Sequence, residues 1–373
     1  MNDVYRIQDL YAILHRSGGT GVLATVVRTS GSTYRRAGAR MLVSDNGRSA
    51  GLISGGCLES DLRERSKEVL SAGKPILVTY DSSSPGDILW GLGLGCTGIA
   101  HVLLERISGG EPCRALEFIE ECRALRSPGA VASVYAIAGF EGETTGSRVF
   151  VRDGLPRTEG PAETTLAAAL GRACADAISS RKSSQLSVTL PGGTAEAFIE
   201  YVPPPVSLFV FGAGPDAPPL VSMATELGWI VTVVDGRPAY LTQESFPSAD
   251  ELILAHPGDT SGAITIPREA AAVVMTHNFN NDLALVRTLL GSAASYVGLL
   301  GPRAKADLLL ARLAEEGIMP AEDEIARLHC PVGLDIGAET PEEIALAIVA
   351  EIQAMLHNRP GSPLSQRDGP IHR

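Results

Sequence analysis

The spacing of apolar residues changes along the chain and predicts a different element after each change. Val4, Ile7, Leu10, Tyr11 and Leu14 are spaced as on one face of a helix, so the chain is predicted to open with an amphipathic helix. The segment 21–29 is rich in β-branched residues and is a predicted strand. Further strands are predicted at 40–44, 48–53, 75–80 and 98–105, and a helix at 57–70. The beginning of the chain is therefore predicted to be mixed α/β.

The middle of the chain, from about 109 to 200, has weaker patterns. Helices are predicted near 113–126 and, in an alanine-rich stretch, near 163–178. Strands are predicted near 130–138 and 194–202. We interpret this region as a continuation of the N-terminal domain.

Three consecutive prolines, 203–205, predict a linker, because proline can continue neither a helix nor a central strand. Apolar strand-like segments then alternate with helical ones, which indicates a doubly wound parallel sheet of the Rossmann type. Its predicted strands are 206–211, 229–235, 251–255, 271–276 and 295–300. The predicted domains are 1–202, a cofactor-binding domain, and 206–357, a nucleotide-binding domain, with a loose tail at 358–373.

Composition and charge exclude several classes of protein. A hydrophobic content of 45% with 20% charged residues is typical of a globular chain. The net charge of −12 disfavours general binding of nucleic acids or anionic membranes. No apolar run reaches the roughly 18 residues of a membrane span, and six irregularly spaced cysteines do not form a disulfide framework. We therefore predict a cytoplasmic protein with free thiols, no nucleic-acid partner and no membrane insertion.

A glycine-rich turn directly follows the first strand after the linker. Gly212, Gly214 and Ala217 form a G-x-G-x-x-A motif, and Asp235 ends the next strand, where an acid that binds a ribose is expected. This context predicts a nucleotide-binding site; the alternative is a Rossmann-like domain that has lost its nucleotide. Pro218 and Pro219 remove two amide donors near the phosphates, so the binding mode is expected to differ from that of a dehydrogenase.

Two later strand ends are expected to reach the same crevice. His277 follows one of them and Arg303 follows the other, so both are candidate nucleotide-binding residues. His277 is either an acid–base group or a residue that binds backbone, and a lone histidine is more often structural. Arg237, just after Asp235, is interpreted as a solvated side chain rather than a 2′-phosphate ligand.

An arginine-rich loop and two glycine-rich cysteine segments lie in the N-terminal part. The segment from Arg28 to Arg48, with both end residues counted, contains five arginines and one acid. This excess of positive charge favours an anion site over a solvated hairpin. The candidate anion-binding residues are Arg35, Arg36 and Arg40. Gly55 and Gly56 precede Cys57 at a predicted helix start, where the helix dipole favours thiolate.

The second glycine-rich segment, 90–98, contains Gly95 and Cys96. Cys57 is a candidate reactive or ligating thiol, and its alternative is a small buried side chain. The glycines around Cys96 let the backbone close around a ligand and keep this second thiol accessible. A structural zinc site is disfavoured, because the sequence has neither a C-x-x-C motif nor histidines at zinc-finger spacing. The other four cysteines, Cys113, Cys122, Cys174 and Cys330, are interpreted as structural.

Taken together, these motifs resemble the xanthine dehydrogenase accessory protein family of the XdhC/CoxI type. The resemblance spans nearly the whole chain and departs from the family pattern at Thr97 and Pro215. The matching segments are 31–59 (GSTYRRAGARMLVSDNGRSAGLISGGCLE), 90–98 (WGLGLGCTG), 208–214 (LFVFGAG), 231–238 (VTVVDGRP), 276–282 (THNFNND), 296–303 (YVGLLGPR) and 330–352 (CPVGLDIGAETPEEIALAIVAEI).

The resemblance implies a molybdenum cofactor (molybdopterin) chaperone, a maturation factor rather than an enzyme. Such a protein protects the cofactor during sulfuration by a cysteine desulfurase and delivers it to a molybdenum hydroxylase of the xanthine dehydrogenase type. A homodimer is also expected. The cofactor site is expected to use Cys57 and Cys96 at the metal end and Arg35, Arg36 and Arg40 at the anion end. Glu59 is expected to orient Cys57 or a pterin nitrogen.

Two other functions stay open on the residues alone. One is an NAD(P)-dependent oxidoreductase in which His277 is the acid–base group and the N-terminal domain binds substrate. The other is a redox sensor that pairs a nucleotide site with a reactive thiol. Against the oxidoreductase, the strongest local patterns are the cysteine and arginine loops, and the sequence offers no convincing catalytic pair.

Overall fold

A computed structural model of the protein describes residues 3–56, 58–81, 98–140, 144–159, 164–259 and 264–368. The chain divides into two compact units, an N-terminal unit that ends at Pro204 and a C-terminal unit that begins at Pro205. The division falls inside the run of prolines, whose fixed φ and missing amide donors separate the two patterns of secondary structure.

The first half of the N-terminal unit is a helix, three strands, a second helix and two more strands. The elements are α1 (Asp3–Ser17), β1 (Thr20–Gly31), β2 (Arg40–Ser44), β3 (Ser49–Gly51), α2 (Glu59–Ala72), β4 (Ile76–Asp81) and β5 (Gly98–Ser108). The strands form one antiparallel sheet in the order β3-β2-β1-β5-β4. The helix predicted from 57 begins at Glu59, with Leu58 as its N-cap residue.

The second half repeats this arrangement. Its elements are α3 (Arg114–Ala124), β6 (Gly129–Ala138), β7 (Arg148–Arg152), β8 (Leu155–Glu159), α4 (Thr164–Ser180), β9 (Ser184–Leu190) and β10 (Gly193–Val202). The sheet order, β8-β7-β6-β10-β9, is the order of the first sheet with each strand replaced by its counterpart. We call residues 3–108 the first repeat and residues 114–202 the second repeat.

Equivalent positions in the two repeats have the same structural roles. Leu62 of α2 and Leu170 of α4 are both buried against their own sheet. The central strands β1 and β6 each carry a bulge, at Val27 and at Tyr135. Those two residues pack with Leu103 and Phe198 in one apolar cluster between the sheets. The duplication was not predicted, because β7, β8 and β9 have short or largely polar patterns.

Two buried ion pairs join the sheets and are related by the repeat. Arg40 at the start of β2 binds Glu200 of β10, and Arg148 at the start of β7 binds Glu105 of β5. Each arginine also donates to the carbonyl of a preceding glycine, Arg40 to Gly38 (3.0 Å) and Arg148 to Gly146 (3.1 Å).

The C-terminal unit is a six-stranded, fully parallel sheet in the order β13-β12-β11-β14-β15-β16. Its strands are β11 (Ser207–Phe211), β12 (Ile230–Asp235), β13 (Glu251–Leu254), β14 (Ala271–Val274), β15 (Tyr296–Leu299) and β16 (Leu328–His329). Its helices are α5 (Ala217–Glu226), α6 (Phe279–Leu290), α7 (Arg303–Glu315), α8 (Glu322–Ile325) and α9 (Pro341–Leu356).

Helices cover both faces of this sheet. Helices α5 and α9 pack on one face and α6 and α7 on the other, and each pair encloses its own apolar core. The last helix begins with a capping box, since the Thr340 hydroxyl accepts from the Glu343 amide and the Glu343 carboxylate accepts from the Thr340 amide. The predicted fold class, mixed α/β followed by a Rossmann-like sheet, is confirmed.

Among the described residues, no helix is both long enough and apolar enough to span a membrane.

Candidate functional site

The loop before α2 is held by a buried carboxylate. One oxygen of Glu59, Oε1, accepts hydrogen bonds from the backbone amides of Ile53 (3.2 Å) and Ser54 (2.7 Å), and the other accepts from the Ser54 hydroxyl (2.5 Å). The same hydroxyl oxygen accepts from the amides of Leu58 (3.0 Å) and Gly56 (3.3 Å). Glu59 and Ser54 therefore determine the path of the backbone on both sides of position 57.

The environment of Glu59 favours the ionised carboxylate. Burial alone would raise its pKa, but the hydrogen bonds from the Ser54 hydroxyl and from the amides of Ser54 and Ile53 outweigh burial and hold the pKa below its usual value. Glu59 is only 4% exposed. It was expected to orient Cys57 or a pterin nitrogen, and its described partners are the backbone and hydroxyl of the loop that leads to Cys57.

The arginine-rich loop, the loop before α2 and Gly98 lie together at one end of the first sheet. A methyl group added at Gly55 would lie 3.5 Å from the Tyr34 ring, so the arginine-rich loop packs against the glycine–cysteine loop. Gly98, the last residue of the second glycine-rich segment and the first of β5, has no room for a side chain beside Ser32 and Thr33. Gly56 has a φ of +111°, and this backbone conformation favours glycine at the turn.

The three arginines of the predicted anion site have different surroundings. Arg35 pairs with Asp3 at 2.7 Å, and Arg36 is exposed. Arg40 donates to both oxygens of Glu200 and to the Gly38 carbonyl, and it is largely buried. These contacts make Arg40 a structural link between the sheets, so its two terminal nitrogens are already engaged by protein oxygens.

Three of the predicted cofactor-binding residues, Cys57, Gly95 and Cys96, lie outside the described residues. The four described cysteines are free thiols, as expected for structural residues. Burial raises the pKa of Cys113 and Cys122 to about 11 and that of Cys174 to about 12, and it also raises the pKa of Cys330. These thiols are protonated at neutral pH and are poor nucleophiles or ligands.

The predicted nucleotide site lies at the carboxyl ends of β11, β12 and β14. Gly212 has a φ of +118°, and a methyl group there would lie 2.5 Å from the Met275 carbonyl oxygen, so only glycine fits. The Asp235 carboxylate accepts from the Ala213 amide (2.7 Å) and from the Arg237 guanidinium (2.7 and 2.9 Å). A ribose hydroxyl at Asp235 would have to compete with Arg237, which is paired rather than simply solvated.

The contacts of Asp235 also favour its charged form. Burial raises the pKa of this carboxyl, but the hydrogen bonds from the Arg237 side chain, the Ala213 amide and the Arg237 amide outweigh burial and hold the pKa below its usual value. Asp235 therefore links the glycine-rich turn to the end of β12.

The start of α5 is a poor match for a pyrophosphate. In dinucleotide-binding folds the pyrophosphate accepts from amides that follow the second glycine and open the helix. Residues 215, 218 and 219 are prolines without an N–H, and the Ala217 amide donates to the Gly214 carbonyl (3.1 Å). Asp216 adds a negative charge at the same place. This end of the fold does not fit a pyrophosphate bound as in a dehydrogenase.

A cleft of about 340 Å³ lies beside this turn. Asp235, His256, His277 and Asn278 are among its lining residues, whereas Arg303, the exposed first residue of α7, is not among the described residues that line it. His277 has a φ of +54°, which is strained for a residue with a side chain. Its Nε2 lies 3.0 Å from Oδ2 of Asp216.

Sequence reasoning missed the partners that organise this cleft. Asp216 was taken only as a variable position of the glycine motif, and its pairing with His277 depends on the neighbouring strand. The Thr276 hydroxyl donates to the buried Asp282 (2.6 Å), whose other oxygen pairs with Lys305 of α7 (2.5 Å). The segment THNFNND contains Thr276 and Asp282, but nothing in the local pattern indicates Lys305.

No group of three or more histidine, cysteine, aspartate or glutamate side chains that could hold a metal ion is found in the described parts of the chain.

Comparison with known proteins gives concordant results. A family model described as the XdhC and CoxI family matches residues 14–81, and one described as the XdhC Rossmann domain matches residues 208–352. A Bacillus subtilis (strain 168) protein named as a probable xanthine dehydrogenase subunit is 37% identical over 333 residues, which cover 89% of this chain and 92% of that protein.

Two further relatives extend over most of the chain. The Escherichia coli (strain K12) protein named "Molybdenum cofactor insertion chaperone PaoD" is 23% identical over 351 residues, covering 93% of this chain and 87% of that one. A crystal structure described as a xanthine dehydrogenase from Bacillus halodurans is 30% identical, with a TM-score of 0.74 over 98% of this chain and 99% of that chain. On the identity and coverage of these matches, the chain belongs to the XdhC and CoxI family.

Proposed function

We propose that this protein is a molybdenum cofactor chaperone that holds the cofactor during sulfuration and delivers it to a molybdenum hydroxylase of the xanthine dehydrogenase type. The cofactor is its cargo. A relative named as a molybdenum cofactor insertion chaperone and another named as a xanthine dehydrogenase subunit support this proposal. Its other proposed partners are a cysteine desulfurase and a second copy of the chain.

The observation that carries the proposal is the network of Glu59 and Ser54. A buried, ionised carboxylate holds four backbone amides and a hydroxyl of one loop, directly or through Ser54. Such a network holds the residues on either side of position 57 in place, and a bound group is held in one geometry only by residues that are themselves fixed. A fully engaged Glu59 also fits positioning better than proton transfer.

The thiols proposed to hold the metal end are Cys57 and Cys96. Thiolates are soft ligands that suit molybdenum. Arg35 and Arg36, in the loop that packs on Gly55, are proposed to attract the anionic cofactor towards the site through their positive charge. Arg40 is left out of this set, because it is committed to Glu200.

For the C-terminal unit we propose that a nucleotide binds through its nucleoside part. The cleft presents Asp235, His277, Asn278 and Asn281 to a ligand, whereas the start of α5 is poor in amide donors. Adenosine is therefore expected to raise the Tm of the protein as much as NAD⁺ at equal concentration. A much larger shift with NAD⁺ would contradict this binding mode.

The main test is to identify what copurifies with the full-length protein. The chain is produced in cells that make the molybdenum cofactor, and the bound small molecules are analysed by mass spectrometry together with the molybdenum content. We expect molybdopterin in the wild-type protein and loss of molybdenum in Cys57→Ala and Cys96→Ala. Cys330→Ala, which changes a half-buried cysteine of the C-terminal unit, is the control.

Activation of the client enzyme provides the second readout. Wild-type protein is expected to increase the activity of a molybdenum hydroxylase produced with it, and the two cysteine variants are expected not to. A wild-type protein without molybdopterin, or cysteine variants that mature the client normally, would overturn the proposal.

A further inference from the structure

A groove in the first repeat has the chemistry of an anion and heterocycle site. It lies between α1, the β2–β3 hairpin and α2, and has a volume of about 420 Å³. That size is within the range of about 300–1,000 Å³ that small-molecule sites have. We call it the arginine groove and define it by Arg6, Arg48, Arg63, Asp9, Leu10 and Met41, which are among its lining residues.

Each wall of the arginine groove supplies one arginine. Arg6 lies on α1, Arg48 follows the hairpin turn, and Arg63 lies on α2. All three are exposed, and Arg63 donates to the Ser49 hydroxyl of β3 at 3.1 Å. Guanidinium groups from three different elements around one groove can surround a phosphate with parallel N–H donors.

Two of the three acids at this groove already have partners. Asp3 pairs with Arg35, and Glu59 accepts from the loop at 53–54. Asp9, one helical turn from Arg6, lines the same groove. The buried side chains of Leu10 and Met41 form an apolar floor between the charged groups.

The combination of arginines, one carboxylate and an apolar floor matches a flat heterocycle that carries a phosphate. The amino-pyrimidinone edge of a pterin has adjacent N–H donors that a carboxylate accepts, and its phosphate and carbonyl groups accept from arginine. An apolar floor suits the ring. The groove also reaches Glu59, the residue that holds the loop leading to position 57.

The second repeat provides a comparison inside the same molecule. Arg48 follows the turn glycine Gly47, and Leu155 follows the turn glycine Gly154 at the equivalent place. Arg63 follows the buried Leu62, and its counterpart after Leu170 is Gly171. The repeats share their fold, so these two arginines are not needed for it.

We propose that the arginine groove binds the pterin ring and the phosphate of the molybdenum cofactor, an assignment that rests on the proposed function. Arg48 and Arg63 bind the phosphate, with Arg6 beside them. Asp9 accepts from the amino-pyrimidinone edge of the pterin.

The test titrates full-length protein with molybdopterin released anaerobically from a purified molybdenum hydroxylase. Arg48→Leu and Arg63→Ala are each expected to raise the Kd about tenfold or more, because each removes a charge-assisted hydrogen bond to phosphate. Inorganic phosphate is expected to compete with molybdopterin for the wild-type protein. Asp9→Asn is expected to weaken molybdopterin binding and to leave the affinity for inorganic phosphate unchanged.

Arg65→Ala is the matched control, because Arg65 lies on the same helix and pairs with Asp61. Its Kd is expected to stay within twofold of the wild type, and thermal melts show that each variant is folded. If the wild type binds and the Arg48 and Arg63 variants bind equally well, or if Arg65→Ala loses as much affinity, the groove assignment is wrong and the proposed function stands. If the wild type binds no molybdopterin, the proposed function itself fails and the groove assignment with it.

Discussion

The two repeats of the N-terminal unit share one architecture and differ in what their loops carry. Both have the same order of helices and strands, a bulge in the central strand and a buried arginine at the start of the next strand. Within the described residues, the Glu59 network and the groove with Arg48 and Arg63 belong to the first repeat. At the position of Glu59 the second repeat has Ala167, after the buried Leu166.

The difference shows which residues belong to the fold and which to the site. Residues present in both repeats, such as Arg40 and Arg148, join the sheets. Residues present in one repeat only are not required by the architecture and are the candidates for ligand binding. By this criterion Arg40, which has the counterpart Arg148, belongs to the fold. Arg63, which has glycine at the equivalent position of the second repeat, is a candidate for binding an anion.

The largest effect is expected for the buried ion pairs that both repeats contain. Arg40→Ala and Arg148→Ala each leave a glutamate buried without its partner, so each should lower the free energy of unfolding by about 3–5 kcal/mol. The two costs should be similar, because the side chains of both pairs have the same exposure, 10% for arginine and 14% for glutamate. Urea unfolding followed by circular dichroism measures both.

An exposed ion pair at the same contact between the sheets is the control. Arg28 and Glu196 lie 3.4 Å apart and are nearly half exposed, and their counterparts, Ala136 and His101, do not form such a pair. Arg28→Ala should cost less than about 1 kcal/mol, and salt should reduce that cost. Very unequal costs for Arg40 and Arg148, or costs as small as that of Arg28, would contradict the equivalence of the repeats.

A smaller effect is expected for the network that belongs to the first repeat. Glu59→Gln should lower the free energy of unfolding at neutral pH by about 2–3 kcal/mol, since hydrogen bonds to a charged acceptor are among the stronger ones. The pKa of Glu59 is lower in the folded protein, so its contribution is present above the unfolded pKa of about 4.3 and is lost as the pH falls through the folded pKa.

The stability difference between wild type and Glu59→Gln should therefore be largest near neutral pH and should shrink below about pH 4. Urea midpoints measured from pH 3 to pH 7 test this. Glu64→Gln, which removes an exposed partner of Lys67 on the same helix, should change stability by less than about 0.5 kcal/mol. A difference that does not depend on pH would mean that the charge of Glu59 is not what the loop needs.

The smallest effect is expected at the two glycines beside the buried arginines. Gly38 and Gly146 have φ values of +97° and +99°, so alanine at either position should cost about 1–2 kcal/mol. The cost should be larger at Gly146, where the added methyl would lie 2.9 Å from a Glu105 oxygen, against 3.3 Å from a Glu200 oxygen at Gly38.

Gly171, which lies in a helix, is the control for which the opposite change in stability is expected, because a methyl group there meets no atom within 4 Å. Gly171→Ala should stabilise the protein by about 0.5–1 kcal/mol, since alanine favours a helix more than glycine does. Melting temperatures of the three variants give the order. An equal loss at all three positions would show that the positive φ of Gly38 and Gly146 is not the cause.

Local patterns predicted much of this fold. The amphipathic helix α1 and the strands β1 and β2 were expected close to their observed limits, because each has a clear hydrophobic pattern. The strands β7, β8 and β9 were missed, since β8 is exposed and β9 alternates weakly. Without them the duplication could not be recognised.

The candidate sites were predicted less completely than the fold. Glycine motifs indicated the loop at 54–57 and the turn at 212–214, because sharp turns need particular residues at particular positions. The partners of those loops are distant in the chain or on other strands. Asp216 with His277, Asp282 with Lys305 and Arg40 with Glu200 are pairs that no spacing predicts.

The sequence by itself determined the class of each unit, the glycine turns and the family resemblance, because these depend on periodicity and on positions that only glycine or proline can fill. The tertiary structure alone decided which charges are free. Arg40, Glu59 and Asp235 are each engaged by partners that folding brings to them. Whether a charged side chain is already engaged by the protein depends on the residues that folding brings beside it, and that is a property of three dimensions rather than of the local sequence.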